Sequence, residues 1–311
     1  MSNNFISKPS PGKRFLSAIY KYKYMYLMLI PTIIFYILFC YVPMYGITIA
    51  FREFSYRSPF GGEWVGLKYF EELWLNAEFW KVFKNTIEIS LGRLIFEFPV
   101  PIVLAILLSE INSSKIKRLS QTVFTFPHFL SWVVGAGIVC TIFADSGAVN
   151  QIISYLGFDR VQFLTDANIF RPLLFMTNIW KEAGWSAIIY MATIVSISPE
   201  LYEAAYIDGA NRFRRIWHVT LPGLKGVIGV LLILAVANAT NGGFDQVFNM
   251  YNALVYETGD IIDTYIYRRT FVLGQSFSSS AALGVFKAVI NGTLLVIANF
   301  VIKRINNQGL Y

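Results

Sequence analysis

Six stretches of mostly apolar residues, each long enough to cross a bilayer as a helix, constrain this chain more than any other feature. They run from Met25 to Ala50, Asn85 to Leu108, Thr122 to Phe143, Pro172 to Ile197, Gly226 to Val247 and Ala281 to Ile302. A spanning helix needs about 20 such residues. In lipid the backbone must satisfy its own hydrogen bonds, which a helix does within one segment. The expected fold is therefore all-α and integral to the membrane, with six transmembrane helices. Composition agrees, because only 14% of the 311 residues are charged against about 25% in ordinary soluble domains. The first stretch follows Lys21 and Lys23 and exceeds the roughly 7–15 residues of a signal-peptide core. It reads as an uncleaved first span.

Six spans put both termini on one side, and the positive-inside rule selects the side. With the termini in the cytoplasm, segments 1–24, 109–121, 198–225 and 303–311 hold 14 Lys/Arg against 4 Asp/Glu. The outer segments 51–84, 144–171 and 248–280, with Asp245, hold 9 against 12. Both termini are thus expected in the cytoplasm, with 51–84 as an extracytoplasmic loop. The formal charge of +7 is dispersed over short loops. It lacks the clustered basic footprint of nucleic-acid binding.

Chemistry has little to work with. Cys40 and Cys140 lie in separate apolar runs, and the two histidines are His128, between Pro127 and Phe129, and His218. No metal-ligand spacing is present, neither histidine has acidic neighbours in sequence, and no phosphate-binding G-x-x-x-x-G-K-[ST] loop occurs. No catalytic or metal site is expected, and the chain has no ATPase motif of its own. A membrane-embedded transferase would need a cluster of His, Asp or Glu at a membrane face. A secondary transporter driven by an ion gradient often carries an internal repeat, and none is evident.

Ionisable residues inside a span are functional candidates. Lys181 and Glu182 stand in the fourth stretch between Trp180 and Trp185; they read as a translocation path or as an internal salt bridge. Arg93 and Glu97, four apart, read as a self-contained pair. Lys287 has no acid three or four residues away, so its partner is another helix, a lipid phosphate or a substrate. The fifth stretch turns polar at Asn238 and continues through Asn241, Gly242, Gly243, Asp245, Gln246 and Asn249. Polar backbone at membrane depth is tolerated where it lines a cavity; alternatively the helix ends near Asn241. Amides and carboxylates there offer the paired donors and acceptors that a polyol needs. Pro99, Pro101 and Pro127 are expected to kink their helices. The aromatic outer loop reads as an interfacial belt with a short helix over Leu67 to Lys81.

The loop between the fourth and fifth stretches carries the strongest local signal. Ser198 before Pro199 and Glu200 predicts a capped helix start, Asp208-Gly209 a break, and Asn211 a second cap. Pro222 is expected to end or bend that second helix. Phe213, Ile216 and Trp217 share a face by spacing. Such a stripe rests either in the headgroup layer or in a partner's groove.

Glu203, Ala204, Ala205 and Gly209, followed by Val219, Leu221 and Pro222, resemble the EAA loop of binding-protein-dependent ABC permeases. The longer string from Glu203 to Asn211, preceded by Ile179-Trp180-Lys181, is similar to the carbohydrate-uptake branch. Tyr41–Gly46, Phe126–Trp132, Gly243–Asn249 and Asp263–Arg268 resemble permeases for oligosaccharides and polysaccharide fragments. The resemblance implies a bacterial plasma-membrane permease domain over 85–302, with an EAA loop between helices four and five. It further implies a heterodimer with a second related permease, two copies of a cytoplasmic ATPase that binds ATP and Mg, and an extracytoplasmic solute-binding protein. No cofactor is implied on this chain, whose other contacts are membrane lipid and an oligosaccharide substrate. By resemblance, Glu203, Ala204, Ala205, Asp208, Gly209, Phe213, Ile216, Leu221 and Pro222 couple to the ATPase. Trp180, Lys181, Glu182, Trp185, Asn238, Asn241, Asp245, Gln246, Asn249 and Lys287 are the candidate substrate path.

Overall fold

The computed structural model describes residues 20–55, 57 and 62–306. Residues 1–19 of the N-terminal segment 1–24, and 307–311 of the tail 303–311, lie outside the described residues. Within them regular structure is helical, apart from an isolated antiparallel bridge between Arg52 and Trp64. Among the described residues, five helical segments are long and apolar enough to cross a membrane: Lys23–Phe51, Ala77–Ser109, Trp132–Tyr155, Arg212–Ala237 and Phe277–Arg304. The third of these is made of helices Trp132–Phe143 and Ala148–Tyr155 with a turn between them. The fourth expected span lies in the 30-residue helix Ala167–Ser196. That helix is long enough but carries Asn178, Lys181 and Glu182 at its middle. It buries Leu173, Leu174, Thr177, Lys181, Ala183 and Tyr190 among others, so protein rather than lipid surrounds its polar centre.

Boundaries move for local reasons. The second span starts eight residues before the expected Asn85, because Asn76 caps it by accepting from Glu78 and Phe79 N–H at 2.9 and 3.3 Å. The outer helix expected over Leu67 to Lys81 therefore splits into Lys68–Trp74 and the start of Ala77–Gly92. The third span is not continuous. Helix Ser114–Thr125 passes into a 3-10 turn at Phe126–Phe129 around Pro127, Leu130 is extended, and Ser131 caps Trp132–Phe143. Gly184 of the long helix abuts this junction so closely that a Cβ there would overlap the Phe124 carbonyl.

Three π turns share one sequence relation. Ile37–Tyr41, Arg93–Glu97 and Ile216–Thr220 each end two residues before a proline, Pro43, Pro99 and Pro222 respectively. Proline removes the i→i−4 bond and its ring crowds the i−4 carbonyl. Widening the preceding turn by one residue relieves that crowding. Pro222 consequently does not end its helix: the chain stays helical from Arg212 to Ala237.

Buried clusters join the long helix to its neighbours. Phe170, Leu173 and Leu174 pack with Ile89, Val139 and Val247, while Ala187, Tyr190 and Met191 pack with Ala105, Leu108 and Leu224. A third cluster gathers Ala50, Phe79, Tyr265 and Leu283. Helix Lys23–Tyr36 buries no residue at all. Near the start of the long helix, Arg171 donates to Asn85 Oδ1 (2.8 Å) and the Thr258 carbonyl (2.9 Å) and pairs with Glu88 at 2.5 Å. Buried Asp260 accepts from Arg268 at 2.7 Å and Thr264 at 2.8 Å. Burial pushes the Asp260 carboxyl above its ordinary range, against the pull of both donors.

Candidate functional site: a broken helix beside a polar cavity

The fifth span breaks where its sequence turns polar. Helix Leu221–Ala237 stops before Asn238, a 3-10 turn covers Ala239–Asn241, and the chain resumes as Phe244–Met250. Gly242 and Gly243 make the corner with φ of +52° and +80°, a region that favours glycine. At Gly243 a Cβ would also strike the Arg93 guanidinium. Neighbouring helices hold the exposed backbone groups of the break. Ser90 donates to the Ala239 carbonyl, and Thr240 donates to Asn291 Oδ1 at 2.6 Å.

This corner borders a cavity of about 480 Å³. Its polar wall comprises Ser90, Arg93 and Glu97 from the second span, Asn178, Glu182 and Ser186 from the long helix, and Asn238 and Asn241 from the break. The Arg93–Glu97 pair is not self-contained. Arg93 donates to Gln246 Oε1 at 2.5 Å, sits 3.8 Å from Glu97, and Glu97 accepts from Asn178. One chain of polar contacts thereby links three helices across the cavity wall.

Glu182 is shared. One carboxylate oxygen accepts from Lys181 Nζ at 2.8 Å and the other lies 2.6 Å from His128 Nδ1. Lys181, 5% exposed, also donates to the His128 carbonyl at 3.0 Å and faces the Trp132 ring at 5.5 Å. Trp185 lies flat on the His128 imidazole, with centroids 4.4 Å apart. His128, isolated in sequence, therefore has a carboxylate neighbour after all.

Of the candidate path residues, Glu182, Asn238 and Asn241 stand on the cavity wall, and Lys181 lies behind Glu182. Gln246 is buried and donates to the Leu174 carbonyl and Thr177 Oγ1 at 2.7 and 2.8 Å. Trp180, Trp185 and Asp245 are exposed, and Asn249 donates to the Asp245 carbonyl at 2.7 Å. Lys287 lies apart from this group, bonded to both oxygens of Asp263 at 2.7 and 2.8 Å. Ser90, Asn178 and Ser186 escaped the sequence reading. The signal for two of them was present, since Asn178, Glu182, Ser186 and Tyr190 recur every fourth residue and so share one helical face.

The loop after the long helix forms a hinge. Helix Pro199–Ile207 begins after Ser198, whose side chain makes no cap bond, so Pro199 alone marks the start. Gly209 ends it with φ +74°, where a Cβ would meet nothing within 4 Å. Asn211 caps the next helix by accepting from Arg214 N–H at 2.9 Å. Glu203, Ala204 and Asp208 are exposed and Ala205 half-buried. Phe213 and Trp217 point outward, whereas Ile216 and Leu221 turn into the cluster around Ala187 and Leu224. Arg212 pairs with Glu110 at 3.4 Å, and Tyr202 meets Thr220 at 3.0 Å, tying the hinge to the second and fifth spans.

Comparison with known proteins is consistent throughout. Residues 97–307 match the family described as binding-protein-dependent transport system inner membrane component. Protein LplB of Bacillus subtilis (strain 168) is 40% identical over 96% of this chain and 95% of its own length. The polygalacturonan/rhamnogalacturonan transport system permease protein YteP of the same organism is 42% identical over 98% and 96%. Among solved structures, a chain of a bacterial ABC transporter involved in import of the acidic polysaccharide alginate superposes with a TM-score of 0.87. It is 38% identical and the match covers 94% of this chain and 99% of that one. The alginate transporter in complex with alginate pentasaccharide-bound periplasmic protein gives the same score and identity.

Proposed function

Because the chain belongs to the family of binding-protein-dependent transport system inner membrane components, we propose that it forms half of the translocation path for an oligosaccharide or polysaccharide fragment. The chain is a membrane subunit of an ABC importer and not an enzyme. A solute-binding protein delivers the sugar on the outer side, a second related permease completes the path, and two copies of a separate cytoplasmic ATPase bind ATP and Mg. Six helices span the membrane, the long polar-centred helix Ala167–Ser196 being the fourth, with both termini in the cytoplasm.

One observation carries the coupling part of this reading. Tyr206, Ile207, Phe213 and Trp217 are 69–83% exposed around the Gly209 hinge, in a loop whose charge puts it in the cytoplasm. An apolar rim on a water-facing hinge is a partner surface, and the short-helix geometry suits a groove. Glu203 with the Ala204–Ala205 pair enters the ATPase cleft, and Gly209 sets the angle between the helices. Glu182 of the long helix and the amides and carboxylate at the broken fifth span meet the sugar hydroxyls: Glu182, Asn238 and Asn241 on the cavity wall, and Asp245 and Asn249 beyond it.

Reconstitution with the three partners in vesicles tests this. ATP-dependent uptake of a labelled oligosaccharide that survives a proton ionophore is expected. Gly209→Leu forces a branched side chain into left-handed backbone; the variant inserts normally but loses uptake. Normal uptake together with normal ATPase co-purification in that variant overturns the coupling role.

A further inference from the structure

We propose that an aromatic ladder on the outer side of the chain is a stacking rail that feeds an oligosaccharide toward the cavity, a role that rests on the sugar-import reading above. Five rings follow one another from the Gly243 corner: Phe244, Phe248, Tyr267, Phe271 and Phe277, with Phe54 at the far end. Successive centroids are 5.2, 4.7, 5.4, 6.2 and 4.8 Å apart. The first ring adjoins Gly243, which lines the cavity, and the last stands in the loop beyond the first helix.

Its construction explains its continuity. Phe244 and Phe248 are four apart on helix Phe244–Met250, and Tyr267 and Phe271 four apart across Ile262–Tyr267 and the π turn after it. Residues four apart share a helical face, so two neighbouring helices each present a ring pair. The outer contacts of Asp260 with Arg268 hold the second pair in register with the first.

These rings do not serve the core. None of the six belongs to the four clusters of buried residues or to the side chains packed against them. Phe271 is 67% exposed, and the other five are half-buried. The rings pack mainly edge-on or tilted, leaving partial faces outward. Such faces carry negative quadrupole charge, which attracts the polarised C–H groups on the apolar side of a sugar ring. Asp245 and Asn249 each follow a ladder ring by one residue and supply acceptors for hydroxyls at the sugar's edge. A lipid-facing belt does not require a ladder that starts at a glycine corner on a polar cavity. A chain of sugar units does, because each unit can step to the next ring without losing its last contact.

The test compares uptake of a short and a long oligosaccharide by the reconstituted importer. Phe248→Leu and Phe271→Leu keep an apolar side chain and remove the flat face. Each is expected to lower the long-to-short uptake ratio, by about tenfold when the two are combined. Phe96→Leu, which removes a ring stacked on Phe175 away from the ladder, keeps the wild-type ratio. Membrane yield and ATPase co-purification confirm that each variant folds. An unchanged ratio in the double variant, or an equal loss at both lengths, overturns the rail while leaving sugar import intact. Wild-type importer that takes up neither sugar overturns the import reading itself.

Discussion

Arg268 donates to Asp260 at 2.7 Å and Glu78 at 3.2 Å, and its guanidinium rests 4.7 Å from the Tyr256 ring centroid. Removing one member of such a pair leaves a buried charge behind, at a cost of about 3–5 kcal/mol. Arg268→Ala is therefore expected to lower the melting temperature of the purified complex. The loss depends on pH. Burial already raises the Asp260 carboxyl, so its contribution favours the fold in acid and fades as pH rises through its folded value. Without Arg268 that value climbs further, and the destabilisation should be larger at pH 8 than at pH 5. An equal loss at both pH values would contradict this account. Little of this was legible in sequence. His128 finds Glu182 across 54 residues and Lys287 finds Asp263 across 24, and no periodicity reports a partner on another helix.

Turns of the helix were partly legible. The prolines at 43, 99 and 222 were visible, but proline alone does not say whether a helix stops, kinks or widens. Widening prevailed at all three, because opening the preceding turn by one residue relieves the crowding of the proline ring without breaking the helix. The extra residue has a directional effect: each residue turns the helix by about 100°, so the π turn Ile216–Thr220 sets which residues of Leu221–Ala237 face the cavity. Deletion of Val219 is expected to rotate Leu231 and Ala235 off the cavity wall and cut uptake at least tenfold. Protein yield should fall less, because the segment remains apolar on every side. Cysteine accessibility at position 235 distinguishes the two registers. The same reasoning explains the caps: Asn211 works as read, Asn76 caps a helix start that the sequence reading ran through, and Ser198 contributes no side-chain bond, so Pro199 suffices.

For the molecule as a whole, apolar runs and charge asymmetry specified the all-helical fold and the expected orientation, since both follow from the bilayer as solvent. They blurred the third and fifth spans, where helix breaks are held by distant groups: Lys181 at the third, Asn291 and Ser90 at the fifth. The cavity was half legible: polar residues in an apolar run flagged Asn238, Asn241 and Glu182, but their meeting with Asn178 depends on packing. Helix Lys23–Tyr36 stands at the other extreme. It buries nothing, it is apolar on all sides, and the family match begins only at residue 97. A segment whose faces are equivalent stores almost no positional information. Saturation mutagenesis should find its apolar positions freely interchangeable, with Leu, Ile, Phe and Met exchanging at near-neutral fitness, while the same exchanges at Leu173 or Val247 are penalised. Sequence drift among relatives should accumulate there first, making this helix a poor guide to ancestry and a convenient place to attach a reporter.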